Sequence, residues 1–449
     1  MRELKKFVAL GLVLVLAMGL LSACKSDGND PVKNKTTINW WVSPVFGEDG
    51  ENPFVQDLAT AFCNEHPKAS IKITILPPGE EQAYLEKAMA GGEKPDLYFG
   101  PLSSVQNLNG TYTDLSSLVT EDISLQENFK KLGDLSGTGG LTFYPIVAQP
   151  YLMAFNKTLL EANDALSILP TDGDRQWTME EYIQTMGQLR EKLPTTKDVG
   201  IFPYGASEGD LATKAFILNA YGAETVNNIG SEAGIKGLSS LPSLMRNNKL
   251  ATDEITLAEH NAQPDYLVNG YDTPTSQSLQ AFLEGDSAQT FIYSLDIDLT
   301  AGNKAETFET IFMPYPSSGT PNLPYELLGM VAFENGDEDK TLVNTLFTDF
   351  VANNAEWRQQ VAGHTGGLST NPNYNDFLTG EYAYLTQTLP MMGEYHAYGY
   401  EDDNEKMAWM VLLRNVAFYG QDPTEAVATY ETMKTKDLSE IPAEVEDAA

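Results

Sequence analysis

The chain is poor in cysteine, histidine and positive charge. Two cysteines and four histidines in 449 residues leave little for a Cys/His zinc site. Lys and Arg total 28 against 63 Asp and Glu, a formal net charge of -35. Such a balance argues against nucleic acid, whose phosphates would repel the surface. It disfavours anionic lipid for the same reason, and a polyanionic ligand would need a local basic patch that the sequence does not contain. Catalytic signatures are missing too. There is no P-loop, no G-x-G-x-x-G after a strand, no H-E-x-x-H and no G-x-S-x-G. His66, His260, His364 and His396 are widely scattered, with no nucleophile patterned beside them. No internal repeat and no long low-complexity segment occurs.

What is present is an ordinary globular composition, 42% hydrophobic and 20% charged. The length predicts two domains or a large two-lobed unit, with a core that needs no disulfide or metal. Residues 1–23 read as a leader. Arg2, Lys5 and Lys6 form a basic start, and an apolar run from Phe7 to Leu21 is short for a spanning helix. Leu21-Ser22-Ala23-Cys24 resembles a bacterial lipobox, in which the cysteine is lipidated, for example with palmitate, and becomes the new N-terminus. Residues 24–35 are polar and read as a flexible tether. Lipidation of Cys24 would leave Cys63 without a partner in the chain, so a buried structural thiol is expected there.

Thr37–Val42 is β-branched and aromatic and predicts a first strand. Asn52-Pro53 opens a helix whose stripe is Phe54, Leu58 and Phe62, stopped by Pro67. Ile71, Ile73 and Ile75 alternate with polar residues as a second strand. A short helix over 84–90 and a third strand over 96–99 come next. This alternation predicts a parallel sheet with helices on its faces. Further on, an extended run over 144–155 is broken by Gln149-Pro150. Thr178 and Glu181 form a capping box before a helix. Helices are expected over 213–221, 276–283, 342–351, 355–362, 405–419 and 423–433, and a strand over 289–295. The acidic run 401–405 lacks the alternation and glycine of a calcium loop and reads as a solvated helix start.

The order of several stretches resembles bacterial extracellular solute-binding protein family 1, over about Thr37 to Lys434. NPFVQDLATAFCNEHP (52–67), GGEKPDLYFGPLSSV (91–105), YPIVAQPYLMAFNKTLL (144–160), QWTMEEYIQTMGQL (176–189), FLEGDSAQTFIYS (282–294), LLGMVAF (327–333), GHTGGLST (363–370) and FYGQDPTEAV (418–427) stand in the family's order. Two places depart from it. Ser294-Leu295-Asp296 replaces a glycine-proline-tryptophan group, and Gly100-Pro101-Leu102-Ser103 replaces an aromatic and charged pair of the maltodextrin branch. Both argue against maltose-like specificity.

The resemblance implies an α/β, two-lobed periplasmic-binding-protein-like fold (type II), with hinge-linked lobes and a central cleft. Lobe one would be 36–147 with 313–355, and lobe two 148–312 with 356–449. It implies a monomeric, membrane-anchored receptor on the extracytoplasmic side that delivers a carbohydrate to the permease of an ABC importer, without enzymatic activity or cofactor. A sugar site needs polar groups placed by backbone and flat aromatics over ring faces. Ser43 and Ser103 follow the first and third strands. Gln149 lies on a crossing segment with Tyr151 beside it. Ser294 and Asp296 follow the strand at 289–295, and Tyr395 and Trp409 lie in the helical end of lobe two. Trp40 and Trp41 point to opposite faces, which gives Trp41 to the site. Trp409, on an amphipathic helix, suits core packing and ligand contact equally. Two alternatives stay open. A glycosidase would need two carboxylates facing each other; a receptor for peptide, polyamine or metal would need a different lining.

Overall fold

The computed structural model describes residues 21–22, 35–46, 53–91, 94–120, 123, 125–200, 211–223, 228–244, 282–292, 308–318, 322–393, 403–417 and 419–435. The chain divides into two compact units, Met1–Gln149 with Glu326–Leu378 and Pro150–Tyr325 with Thr379–Ala449. The divisions read from the sequence lie at 147/148, 312/313 and 355/356. The last two lie later in the chain, because Thr310–Pro314 pairs with Leu152–Asn156 of the second unit and the returning segment keeps building the first unit beyond 355.

The first segment carries β1 (Leu21–Ser22), β2 (Thr36–Val42), α1 (Pro53–Glu65), β3 (Ala69–Ile75), α2 (Glu81–Gly91), β4 (Leu97–Pro101), α3 (Glu127–Leu132) and β5 (Phe143–Pro150). In α1 the residues at 54, 55, 58, 59, 62 and 63 are buried, the stripe expected of one helix face. Cys63, on that face, is disulfide-bonded. This corrects the free buried thiol expected from the sequence. β2 pairs parallel with both β3 and β4, as the strand–helix alternation requires.

The second segment holds β6 (Leu152–Asn156), α4 (Lys157–Ala162), α5 (Met179–Lys192), α6 (Leu211–Ala220), α7 (Glu232–Pro242), β7 (Gln289–Ile292) and β8 (Thr310–Pro314). The capping box of α5 forms as read: Thr178 Oγ1 accepts from the Glu181 amide at 3.2 Å and Glu181 Oε2 accepts from the Thr178 amide at 2.8 Å. β6 lies between β7 and β8, antiparallel to both. Trp177 is a packing residue: its indole donates to the Pro314 carbonyl at 2.8 Å, and its ring meets Phe155 and Tyr182 edge-on.

The chain then returns with β9 (Tyr325–Ala332), α8 (Glu338–Asn353), α9 (Ala355–His364) and β10 (Leu368–Ser369). β9 inserts antiparallel beside β4, so the first sheet is mixed, in the order β1-β3-β2-β4-β9-β5-β10. Trp40 is fully buried against Phe347 of α8, while its neighbour Trp41 is half-buried on the other face. Arg358 of α9 is also fully buried. It donates to Ser369 Oγ, Thr370 Oγ1 and the Ala352 carbonyl, and so ties the helix to β10. The last segment holds a 3-10 stretch Gly380–Met391, α10 (Asp403–Ala417) and α11 (Pro423–Met433). The expected Asn52 cap and the helix over 276–281 lie outside the described residues.

Asp96 joins the two segments of the first unit. Its carboxylate accepts from the Asn39 amide (2.8 Å), Asn335 Nδ2 (2.6 Å) and Lys340 Nζ (2.9 Å), and its carbonyl accepts from Asn344 Nδ2 (2.9 Å). Asp96 is 3% exposed. Replacement by alanine strands a buried amide and an ammonium, at a cost of about 3 kcal/mol. Lys340→Ala, at the wetter partner, costs about 1 kcal/mol. Urea unfolding followed by tryptophan fluorescence measures both; equal losses would show that the other Asp96 bonds contribute nothing.

Candidate functional site

Strands β2 and β4 run parallel, so their C-terminal ends lie at one edge of the first sheet. Open α/β sheets take ligands at that edge. The residues gathered there carry hydroxyls and carboxylates. Ser43, immediately after β2, is buried, and its amide donates to the Phe99 carbonyl at 2.8 Å. Its hydroxyl donates to Glu81 Oε1 at 3.3 Å and lies 3.3 Å from the Tyr98 hydroxyl. With Ser43 donating to Glu81, Tyr98 donates to Ser43, giving a chain Tyr98–Ser43–Glu81. Trp41 and Tyr98 are in-register partners on neighbouring parallel strands and therefore share a face.

Gly100 makes the arrangement fit. A Cβ there would lie 2.1 Å from the Tyr98 hydroxyl and 2.9 Å from Ser43 Cβ. The glycine-proline pair after the third strand thus makes room for the tyrosine. On the β9 side, Glu326 Oε1 accepts from the Leu327 amide at 3.0 Å and from the Ser103 amide at 3.5 Å. Burial pushes the Tyr98 hydroxyl pKa well up, and the Glu81 and Glu326 charges add to the shift. The hydroxyl is a neutral donor at ordinary pH.

Aromatic rings flank the same edge. Phe46 stacks on Phe99 at 5.1 Å and meets Phe54 at 5.4 Å; Phe54 stacks on His364 at 4.1 Å. Gln149, near the end of β5, donates from Nε2 to the Thr365 carbonyl at 2.6 Å. The turn it holds contains Gly366 at φ +64 and Gly367, where a Cβ would lie 2.2 Å from Val147 Cγ1. Thus the GHTGG stretch is a turn fitted against β5.

The structure brings Trp41, Ser43 and Ser103 together with Glu81, Tyr98 and Glu326 in the first unit. The sequence patterns do not single out the last three. Tyr98 has a readable signal, because alternation from Gly100 places it on the Ser43 face. Glu81 and Glu326 lie on a helix start and a returning strand, far from the motif. In the second unit, Tyr151 is buried and its amide donates to the Pro324 carbonyl at 2.8 Å. Trp409 is fully buried, edge-on to Tyr430, with Lys214 Nζ 5.9 Å from its ring centre. Cys24, Ser294, Asp296 and Tyr395 lie outside the described residues. Among the described residues no cluster of His, Cys, Asp and Glu could hold a metal ion, and no helix is long and apolar enough to cross a membrane.

The family model described as bacterial extracellular solute-binding protein matches residues 48–349. No curated protein matches by sequence. Among solved structures, the cyclic alpha-maltosyl-1,6-maltose binding protein from Arthrobacter globiformis is similar at 16% identity and TM-score 0.65, covering 89% of this chain and 98% of its own. The GacH receptor of Streptomyces glaucescens is similar at 17% identity and TM-score 0.61, covering 90% and 100%. The ABC substrate-binding protein Lmo0181 from Listeria monocytogenes is similar at 13% identity and TM-score 0.59, covering 89% and 98%. These likenesses establish the fold, that of the maltose-binding-protein-like type II binding proteins.

Raised tyrosine pKa values make a pH prediction. The unfolded chain loses its tyrosine protons near pH 10, while buried Tyr98 and Tyr182 keep theirs to higher pH. Between those values the native state binds more protons, so stability falls as pH rises. Each group contributes a slope of about 1.4 kcal/mol per pH unit. Below pH 10 neither affects stability through titration. Tyr98→Phe should remove one such slope in urea melts between pH 10 and 11; an unchanged slope would show that Tyr98 ionises as readily in the folded protein.

Proposed function

Because the chain belongs to the bacterial extracellular solute-binding protein family, we propose that it is a lipid-anchored receptor for a carbohydrate, which it hands to the permease of an ABC importer. The observation that carries the carbohydrate reading is the Tyr98–Ser43–Glu81 hydrogen-bond chain at the C-terminal edge of parallel strands. Sugar hydroxyls both donate and accept. A carboxylate takes the donated proton in a charge-assisted bond, and a tyrosine or serine hydroxyl supplies either role. Trp41 and Ser103 belong to the same set. Gln149 contributes its Oε1, since Nε2 is engaged by Thr365. The expected contacts at Tyr151, Ser294, Asp296, Tyr395 and Trp409 are part of this proposal. The relatives support it: one binds cyclic alpha-maltosyl-1,6-maltose, one was crystallised with acarbose and one with cycloalternan.

A thermal-shift screen against mono- and oligosaccharides tests the reading. A cognate sugar at one hundred times its Kd stabilises by about 2.7 kcal/mol. Ser43→Ala and Gln149→Ala should each weaken that binding by about 1–3 kcal/mol. A lower melting temperature with unchanged affinity would make them packing residues. Product analysis after long incubation with the same sugar should find it intact; conversion abolished by Glu81→Gln would replace the receptor reading with a glycosidase.

The lipid anchor rests on the LSAC motif. Since the chain has two cysteines, the disulfide of Cys63 and a thioether at Cys24 exclude each other within one molecule. Mass spectrometry of protein extracted from membranes should find acyl chains on Cys24, and Cys24→Ala should release the protein from the membrane. An intact Cys24 thiol or disulfide on membrane-bound protein would overturn the anchor.

A further inference from the structure

Hydrogen-bond direction at the edge of the first sheet restricts what can be seated there. An ionised carboxylate only accepts, so the contact between Ser43 and Glu81 uses the one proton of the Ser43 hydroxyl. The fully buried Tyr98 hydroxyl then gives its own proton to Ser43. The backbone amides beside them are committed as well. The Ser43 amide donates to the Phe99 carbonyl, the Leu76 amide to the Val42 carbonyl, and the Ser103 and Leu327 amides to Glu326. What the chain Tyr98–Ser43–Glu81 leaves for a ligand is lone pairs, on Ser43 Oγ and on the Glu81 carboxylate. A ligand atom that meets Ser43 and Glu81 has to be a donor.

Charge points the same way. The four stretches that build this edge, 38–46, 73–86, 97–110 and 323–333, hold Glu80, Glu81, Glu86 and Glu326 and no Lys, Arg or His. Among the described residues Glu81 pairs with no cation. Its bond to Ser43, at 3.3 Å, is long for a carboxylate. The charges of both Glu81 and Glu326 oppose ionisation of Tyr98, so both carboxylates lie near that hydroxyl. Like charges held near one another favour a cation between them. Aromatic faces stand beside the carboxylate. Tyr84 comes three residues after Glu81 in α2, on the same helix flank, and is 37% exposed. Trp41 is half-buried on the Tyr98 face. A cation gains from an aromatic face as it does from a carboxylate.

We propose that the solute is an amine-bearing sugar, whose protonated amino group is held by Glu81 and Ser43 and whose charge Glu326 helps to balance. An ammonium carries three donors and no acceptor, which matches a surface of lone pairs. A uronic acid or a sugar phosphate is excluded, because its anionic oxygens only accept: it finds no donor at Ser43 or Glu81 and meets two like charges. Trp41 and Ser103 remain for the other groups of the sugar. The proposal deepens the carbohydrate reading of the same edge, and rests on that reading for the sugar but not for the amine.

Calorimetry on the full chain tests it with matched pairs in which an ammonium replaces one hydroxyl: glucosamine and glucose, galactosamine and galactose, chitosan oligomers and cello-oligomers. Glucuronate and spermidine, an amine without a sugar, complete the panel. An amino member should bind at least tenfold more tightly than its neutral partner. Glu81→Gln keeps an acceptor for Ser43 and removes the charge; it should erase that preference. Glu326→Gln keeps an acceptor for Leu327 and should lower the preference at least threefold, which retains a test if the first variant does not fold. Circular dichroism verifies the fold of each. A neutral or acidic sugar that binds as tightly as its amino counterpart overturns the proposal, as does a preference retained in either folded variant, or a panel in which no amine binds. Binding of spermidine alone, lost in Glu81→Gln, would sink the carbohydrate reading and leave the ammonium seat at Glu81 standing; binding of a neutral sugar alone would do the reverse.

Discussion

The first unit depends on one buried carboxylate. Asp96 stands at the entry to β4 and binds the backbone of β2, the loop after β9 and the start of α8. Residues 36–149 and 326–378 are separated by the whole middle segment, yet they must form one sheet. Joining distant segments costs loop-closure entropy before any contact is gained. A charge-assisted, fully used carboxylate at the seam offsets that cost at one point and fixes the register of β9 against β4. The Phe333 amide, donating to the Asp96 carbonyl at 3.0 Å, carries the same seam along the backbone.

That register decides what lies at the other end of the same strand pair. Pro101 faces Leu328, so Glu326 arrives beside Ser103. The lock and the candidate site are two ends of one β4–β9 pairing. Their chemistry differs because their solvation differs. Asp96 is enclosed and its carboxylate is used by the chain. Glu81 and Glu326 are half-buried, with neighbouring hydroxyls and amides holding their orientation. Groups oriented in this way give up little rotamer entropy when a ligand hydroxyl arrives.

The second unit contributes anchors of another kind. Arg175, Glu381, Phe312 and Tyr384 tie the loop before α5, the strand β8 and the 3-10 stretch to one another. Tyr325, whose hydroxyl donates to the Gly393 carbonyl, is bonded within the same unit; Gln149 is bonded to Thr365 within the first.

Much of the fold was legible in the sequence. The stripe of Phe54, Leu58 and Phe62, the alternation of Ile71 and Ile73, and the Thr178–Glu181 box are local patterns, and local patterns report helix and strand directly. The family's motif order was enough to expect two lobes. Ser43 and Ser103 were legible as candidates because each comes directly after a strand of the parallel set. The disulfide of Cys63 was not expected, because a lipidated Cys24 would leave no second thiol in the chain. Nor does periodicity say that β9 runs against β4, that Glu326 thereby meets Ser103, or that Glu81 accepts from Ser43. Those facts depend on the pairing of segments far apart in the chain, which hydrogen-bond register and buried charge settle only when the chain is assembled. The sequence therefore determined the elements, their order and the edge where a site belongs; the tertiary structure decided which side chains from distant segments share that edge, because only register brings them within hydrogen-bond reach.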